Sequence, residues 1–434
     1  MSIRFATALL AGLAGAAASV AGPVVSVDLI AYEGMITPSS NGLAISSLNS
    51  PFTNGLGQVG FTGQLTDPAG GTIGFVWVND DIKWTNTDGL PSVLGGAEGT
   101  MGIGNLGEFI YSPSVDGEDA VWTDQGLLLR ADDAAPGMPG MFSSFNSRPI
   151  MTPDGTSYWV GGLTNAPGGS SQGRVLWKNV GGAGGTFTSL LKTGDIIAGF
   201  AVGASGVGFA YDVSDNNDHF ISFASLVTGS STTDGTVVVD GVAVARESSP
   251  TGQGDNWASF DGMSINNAGN YVFGGDTGGD TTTDEFIAYN GQIAIREGDS
   301  VGGVTLGASQ DWVSINNLNQ VAFIWDIAGG AEEGLFWAAD ATDMSAALML
   351  LATGSDIDTD GDNIADATLI DFNASSTIGP GLDLSDNPWI YVEVDLMDLG
   401  AGVEYEAIIR VQIPAPGGAA LLGMAGLVGL RRRR

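Results

Sequence analysis

The residues best suited to chemistry are the acids of Asp356-Ile357-Asp358-Thr359-Asp360-Gly361-Asp362-Asn363-Ile364-Ala365-Asp366. Carboxylates stand at alternate positions, Gly361 permits a bend, and a further acid follows it. Acids this close repel one another unless a cation lies among them. Calcium is a hard cation that takes about six to eight oxygens at about 2.3–2.6 Å, so alternate acids converging in a tight loop suit it. The chemistry predicted is metal binding, structural rather than catalytic. A helix-flanked EF-hand is not expected, because no helical pattern precedes the loop and Ala367 stands where the bidentate Glu would be.

Other reactive residues are sparse. His219 is the sole histidine, so a serine–histidine–acid triad would have to use it, and no G-x-S-x-G elbow accompanies it. The acid pairs Asp80-Asp81, Asp132-Asp133 and Glu332-Glu333 are chain neighbours. In a strand, adjacent side chains point to opposite faces, which makes such pairs poor acid–base partners. P-loop, dinucleotide and zinc patterns are missing from the sequence. No catalytic residue is assigned.

The elements that must position the loop come from a repeat. Ser314-Ile315-Asn316-Asn317-Leu318-Asn319-Gln320-Val321-Ala322-Phe323 reads as a strand end, a polar turn and a new strand. Ser264-Ile265-Asn266-Asn267-Ala268-Gly269-Asn270-Tyr271-Val272-Phe273 is a close copy, and looser copies put the turn residue at Gly57, Gly107, Gly155, Asn217 and Asn387. Asn, Asp and Gly tolerate positive φ, and the residues that follow are β-branched or aromatic, as a pleated, half-buried surface requires. A step of about 50 residues holding several short strands signals propeller blades rather than a helical solenoid. The fold predicted is all-β, a seven-bladed propeller of four-stranded repeats. Leu29-Ile30-Ala31-Tyr32-Glu33-Gly34 resembles the strand that ends the fifth repeat, Ile293-Ala294-Ile295-Arg296-Glu297-Gly298, while the seventh repeat lacks such a strand. The N-terminal strand is therefore expected to complete the last blade and remove two open edges. Trp77, Trp122, Trp177 and Trp337 recur on middle strands and are expected to pack between blades.

The organisation reads as a signal peptide at 1–21, a propeller body at 22–413 with the loop inserted near 354–368, and a sorting or membrane tail at 414–434. Arg4, an apolar centre at 5–18 and Ser19-Val20-Ala21 have the charged start, short core and small-residue cleavage site of a secretory signal. The tail is Pro414-Ala415-Pro416, an apolar run at 417–430 and Arg431 to the end. Fourteen apolar residues are short for a stable span, and the arginines would stay on the cytoplasmic side. Charged residues are 15% and hydrophobic ones 43%, which excludes wholesale disorder. With no cysteine there are no disulfide staples. The net charge is −35, and five of the 14 bases lie in the end segments, so the body is more acidic still. Such a field repels phosphate backbones, and nucleic acid is not an expected partner.

Three resemblances add to this. The acidic loop resembles the calcium loops of thrombospondin type 3 repeats and dockerin-like modules, with their D-x-D-G-D-x-x-x-D spacing. That resemblance implies calcium as cofactor, Asp358, Asp360, Asp362 and Asp366 as ligands, and Asp356 as an added one. The tail resembles the PEP-CTERM sorting signal of Gram-negative and planctomycete-like bacteria, with Ala415 where that signal has Glu. It implies an exosortase-type sorting protease and signal peptidase as partners, and membrane contact through the tail only. Residues 266–273 and 316–323 resemble the tandem N-x-x-G-x-x-A-F repeats of exported bacterial proteins with such anchors, which implies a surface-displayed propeller-like body.

The function expected is an exported, non-enzymatic cell-surface or matrix protein ordered by calcium. The alternatives are a calcium-dependent module binding extracellular polysaccharide and a secreted carboxylate-based hydrolase or lyase.

Overall fold

A computed structural model describes residues 25–88, 101–115, 117–143, 148–167, 169, 171–330, 332–373 and 381–414. The signal segment, and the tail beyond Pro414, lie outside the described residues. No helix among the described residues is long and apolar enough to cross a membrane.

The chain is all-β and its sheets follow one another in sequence as a propeller. Six sheets are antiparallel blades. Blade 1 is built around Val59–Thr66 and Thr72–Val78, blade 2 around Phe109–Tyr111 and Glu118–Thr123, and blade 3 around Ser157–Thr164 and Gly173–Val180. Blade 4 is built around Phe220–Leu226 and Gly235–Val239, blade 5 around Tyr271–Asp276 and Glu285–Tyr289, and blade 6 around Val321–Ile327 and Glu332–Ala338.

A compound closing sheet follows, with seven strands. The expectation of seven like four-stranded blades is corrected accordingly. Six regular blades are present, five of them with an extra short strand, and the last position holds a sheet of mixed direction. The reason lies in the first segment. Asp28–Tyr32 pairs antiparallel with Glu404–Gln412, while Val25–Ser26 pairs parallel with Asp356–Asp358. The N-terminal residues thus bond both edges of this sheet, which must curl to bring those edges together.

The repeated turn works as its residues require. Gly57, Gly107, Gly155, Asn217, Gly269 and Asn319 all have φ between 61° and 84°, the left-handed region that Gly and Asn tolerate best. At Gly57 a side chain is also excluded by a neighbour, since a Cβ would fall 2.2 Å from Asn387 Nδ2.

These turns hydrogen-bond to one another around the ring. Asn54 Nδ2 donates to the Gly104 carbonyl (3.0 Å), and the Asn105 amide to Pro153 (3.1 Å). Thr152 Oγ1 donates to Asn217 Oδ1 (2.8 Å), the Asn216 amide to Asn267 Oδ1 (2.8 Å), and Asn266 Nδ2 to the Asn316 carbonyl (3.1 Å). Asn316 Nδ2 donates to the Ser385 carbonyl (3.0 Å), and Asn387 Nδ2 to the Leu56 carbonyl (2.6 Å), which completes the circuit.

The core lies between blades. Trp77 packs with Tyr391 and Ile408 of the closing sheet. Trp177 packs with Ile110 and Val121 of blade 2, and Trp337 with Val392 and Leu396 of the closing sheet. All three are buried, as large rings that fill an inter-blade seam should be. Trp122 keeps some exposure.

Candidate metal centres and the axial chamber

The acidic loop leaves strand Asp356–Asp358 and returns in Ala367–Phe372. Asp358 is buried, at 1% exposed. Its Oδ1 accepts the amides of Gly361 (2.7 Å) and Asp360 (3.2 Å), and its Oδ2 that of Asn363 (2.9 Å). Burial alone would raise this carboxyl, but the amides bonded to it hold it below the usual range. Asp366 accepts both the amide and the hydroxyl of Thr359 at 2.8 Å. Oxygens of Asp358, Asp360 and Asp366 come within 4.8 Å of one another, a spacing that could hold a metal ion. The fold therefore gathers three of the five predicted ligands. Asp362 is exposed and accepts the Ile364 amide (2.8 Å), and Asp356 sits in the strand opposite Thr368.

A second cluster escaped the sequence reading. Asp326 and Glu333 face each other across two strands of blade 6, and Asp311 stands on the inner strand Val304–Ile315. Their oxygens also approach within 4.8 Å. Burial, then the charges of Asp311 and the closing sheet's Asp371, push Glu333 up to about 8. Burial, then Asp326 and Asp371, push Asp311 up to about 6. Four crowded carboxyls either share protons or hold a cation among them, and hard oxygen donors of this kind suit a divalent ion.

A third group lines the axis. The inner strands present Asp212, Ser264, Ser314 and Asp383 toward a chamber of about 70 Å³. Asp212 Oδ2 accepts Ser264 Oγ (2.8 Å) and the Ile265 amide (3.0 Å). Asp383 Oδ2 accepts the Thr53 amide (2.7 Å) and hydroxyl (3.0 Å). Arg148 is the cation that offsets both aspartates, and its guanidinium lies over the Trp312 ring, 5.3 Å from the centroid. The Tyr211 hydroxyl donates to the Arg148 carbonyl and holds that segment in place. Burial raises Asp212 and pushes Asp383 up to about 6, in spite of Arg148.

At the turn-bearing end, Asn317 Nδ2 donates to Asp215 and Asp386, both at 2.8 Å. Gly55 lies against Pro153 and Asp215. The chamber is therefore closed in at its turn-bearing end. Its volume is far below the roughly 300–1,000 Å³ of small-molecule pockets and has room for only about five waters.

At the seam between the closing sheet and blade 1, Glu393 is 7% exposed and hydrogen-bonds Glu406. Glu406 Oε2 in turn accepts the Leu48 amide (2.8 Å). Burial, then Glu406, push Glu393 up to about 9. On the same seam, Trp77, Asn79, Asp80, Tyr391 and Arg410 border a groove of about 460 Å³. Arg410 stacks on Trp389, 4.3 Å from the ring centroid, and bonds Asp28 through Nε (2.7 Å).

His219 lies in the fourth repeat turn, at the start of strand Phe220–Leu226. Its Nδ1 bonds Asp240 Oδ2 (2.8 Å), and its ring lies against Gly269 in the next turn. Asp276 and Asp326 fall at the same offset from their left-handed turn residues, a signal by which the blade acids could have been found. Arg148, Asp212 and Asp383 carry no local pattern, because two separate inner strands and the segment leading into a third bring them together.

Among solved structures, the chain is similar to "Oligogalacturonate lyase in complex with manganese", at 9% identity and a TM-score of 0.38, over 83% of this chain and 98% of that one. It is similar to the apo form of prolyl oligopeptidase B from Galerina marginata, at 9% identity and a TM-score of 0.40, over 86% of this chain and 48% of that one. The chain thus spans about half the length of the peptidase. It is also similar to a putative TolB from Agrobacterium tumefaciens, at 13% identity and a TM-score of 0.31, over 67% of this chain and 94% of that one. No curated protein matches the sequence significantly. The model of the family described as "Family of unknown function (DUF7453)" matches residues 103–375, more than half of the sequence, and the chain belongs to that family.

Proposed function

We propose that this chain is an exported, non-enzymatic display or matrix protein, retained at the cell surface through its C-terminal tail and stiffened by calcium in the 356–366 loop. The observation that carries the reading is the state of the axis. Where propeller rings offer a substrate site, this one has a chamber of about 70 Å³, narrowed by Arg148 on Trp312 at one level and by the bonded turns at another. A carboxylate-based hydrolase or lyase centred there would have no room for a polymer. The loop supports the calcium part, because the strand that leads into it, Asp356–Asp358, also pairs with Val25–Ser26. An ion held by Asp358, Asp360 and Asp366 would tighten the closure of the ring.

Two measurements test this. Deletion of residues 414–434 is expected to move the protein from the cell envelope to the medium, and continued retention would count against a sorting tail. Excess calcium is expected to raise the melting temperature over chelator in the parent and to a smaller extent in Asp360→Asn. Superimposable curves for the parent would remove calcium from the reading.

A second reading, a module that binds extracellular polysaccharide, is favoured by the 460 Å³ groove with Arg410 stacked on Trp389. Calorimetric titration with polysaccharide, parent against Trp389→Ala, decides it. Equal heats from the two proteins would remove it.

A further inference from the structure

The left-handed residue of the repeated turn is preceded by an exposed side chain in all six blades. On blades 6, 1 and 2 that side chain is a leucine, and Leu318, Leu56 and Leu106 are 61%, 57% and 88% exposed. On blades 3, 4 and 5 it is Asp154, Asn216 and Ala268. The turn is the same throughout, so its backbone does not call for leucine. The large apolar members are confined to one side of the ring.

The chain leaves the described fold on that same side. Gln412, at the end of strand Glu404–Gln412, stands opposite Trp389, and the Ile413 amide donates to the Pro388 carbonyl (2.9 Å). Pro388 follows the closing sheet's own turn, whose Asn387 bonds the Leu56 carbonyl and whose Asp386 accepts the Asn317 amide (2.7 Å). The exit is therefore flanked by Leu56 on blade 1 and Leu318 on blade 6, with Leu106 one blade further on. Only Pro414, Ala415 and Pro416 separate it from the apolar run at 417–430. A link of that length spans about 11 Å at most.

We infer that the turn-bearing end, on the side of Leu318, Leu56 and Leu106, lies against the surface of a phospholipid bilayer. The inference rests on the reading of 414–434 as a membrane tail. With the run at 417–430 in a bilayer, so short a link holds the exit against the headgroups, and the leucines beside it are the side chains that meet them. Such contacts reach about 5–10 Å into the boundary between headgroups and acyl chains. The net charge of −35 selects the lipid, because an anionic leaflet repels the chain and a zwitterionic one does not. The 356–366 loop then points away from the membrane. The Asp366 carbonyl accepts the Leu399 amide (2.9 Å), just past the far end of strand Trp389–Asp398 and about 30 Å from the exit.

The test places the full chain in phosphatidylcholine vesicles that carry a headgroup quencher. The sequence has no cysteine, so Leu106→Cys and Leu318→Cys each take a single fluorophore at the turn-bearing end. Val227→Cys and Leu399→Cys take it at the opposite end, where strands Phe220–Leu226 and Trp389–Asp398 finish and both side chains are exposed. The turn-end labels are expected to lose more than about half of their emission and the opposite labels to keep theirs. Equal quenching at the two ends, with the protein still floating with the vesicles, would overturn the orientation and leave the tail reading standing. Failure of the parent to float with vesicles would overturn both. Turn-end labels that become shielded as protein concentration rises, without lipid, would name a second copy as the occupant and overturn the inference. Stronger quenching in vesicles rich in phosphatidylglycerol would overturn the choice of lipid.

Discussion

Glu393→Gln should flatten the pH dependence of stability. In the folded ring, Glu393 is buried, hydrogen-bonds Glu406 and titrates at about 9 instead of 4.5. The folded protein therefore keeps a proton that the unfolded chain releases above pH 4.5. When the folded state binds more protons, stability falls as pH rises, by about 1.4 kcal/mol per pH unit for one proton. The stability this proton confers is present in full below pH 4.5 and is lost progressively up to about 9. Between pH 5 and pH 8 the loss is about 4 kcal/mol. A glutamine keeps a donor toward Glu406 and has nothing to release, so its contribution is independent of pH. The assay is urea unfolding of parent and variant at pH 5, 6, 7 and 8. The difference between the two profiles should open steadily, with the variant relatively more stable at each higher pH. Parallel profiles would refute the shared proton, whatever the remaining acids add to both.

Arg148→Met should cost about 3–5 kcal/mol at pH 8, because it leaves Asp212 and Asp383 buried without their cation. The loss should shrink at pH 5, where Asp383, raised to about 6, is protonated, and equal losses at both pH values would contradict the assignment. Asn316→Ala should cost about 2–4 kcal/mol by freeing the Ser385 carbonyl and the Leu318 and Gln320 amides. The exposed Asn216→Ala should cost under about 1 kcal/mol, and the reverse order in denaturant midpoints would count against the bonded ring of turns. Trp177→Ala should cost about 3–5 kcal/mol through the cavity left between blades 2 and 3. A thermal shift within error of the parent would place that ring outside the core.

The parts of the fold that could be read from the sequence are those with local causes. Asn319 and Gly269 had to occupy left-handed turns, and the strands after them had to be half-buried, whatever the rest of the chain did. The kinship of residues 29–34 with 293–298 pointed to closure by the first segment. The parallel pairing of Val25–Ser26 with Asp356–Asp358 was hidden, because register across more than three hundred residues leaves no local trace. The same holds for the sites. Asp358, Asp360 and Asp366 announce themselves by spacing, and the turn geometry that separates Asp362 from them does not. Arg148, Asp212 and Asp383 become neighbours only when separate inner segments gather on an axis. Identity alone could not distinguish such acids from the many others in a chain with 49 of them.

The double attachment of the first segment has a consequence for biogenesis. Asp28–Tyr32 is made long before its partner Glu404–Gln412, the last strand described. A molecule emerging in order carries a bare ribbon until more than three hundred further residues have been made. During that interval the final strand of a sister molecule is an equally good match, so crowded nascent chains are exposed to reciprocal exchange.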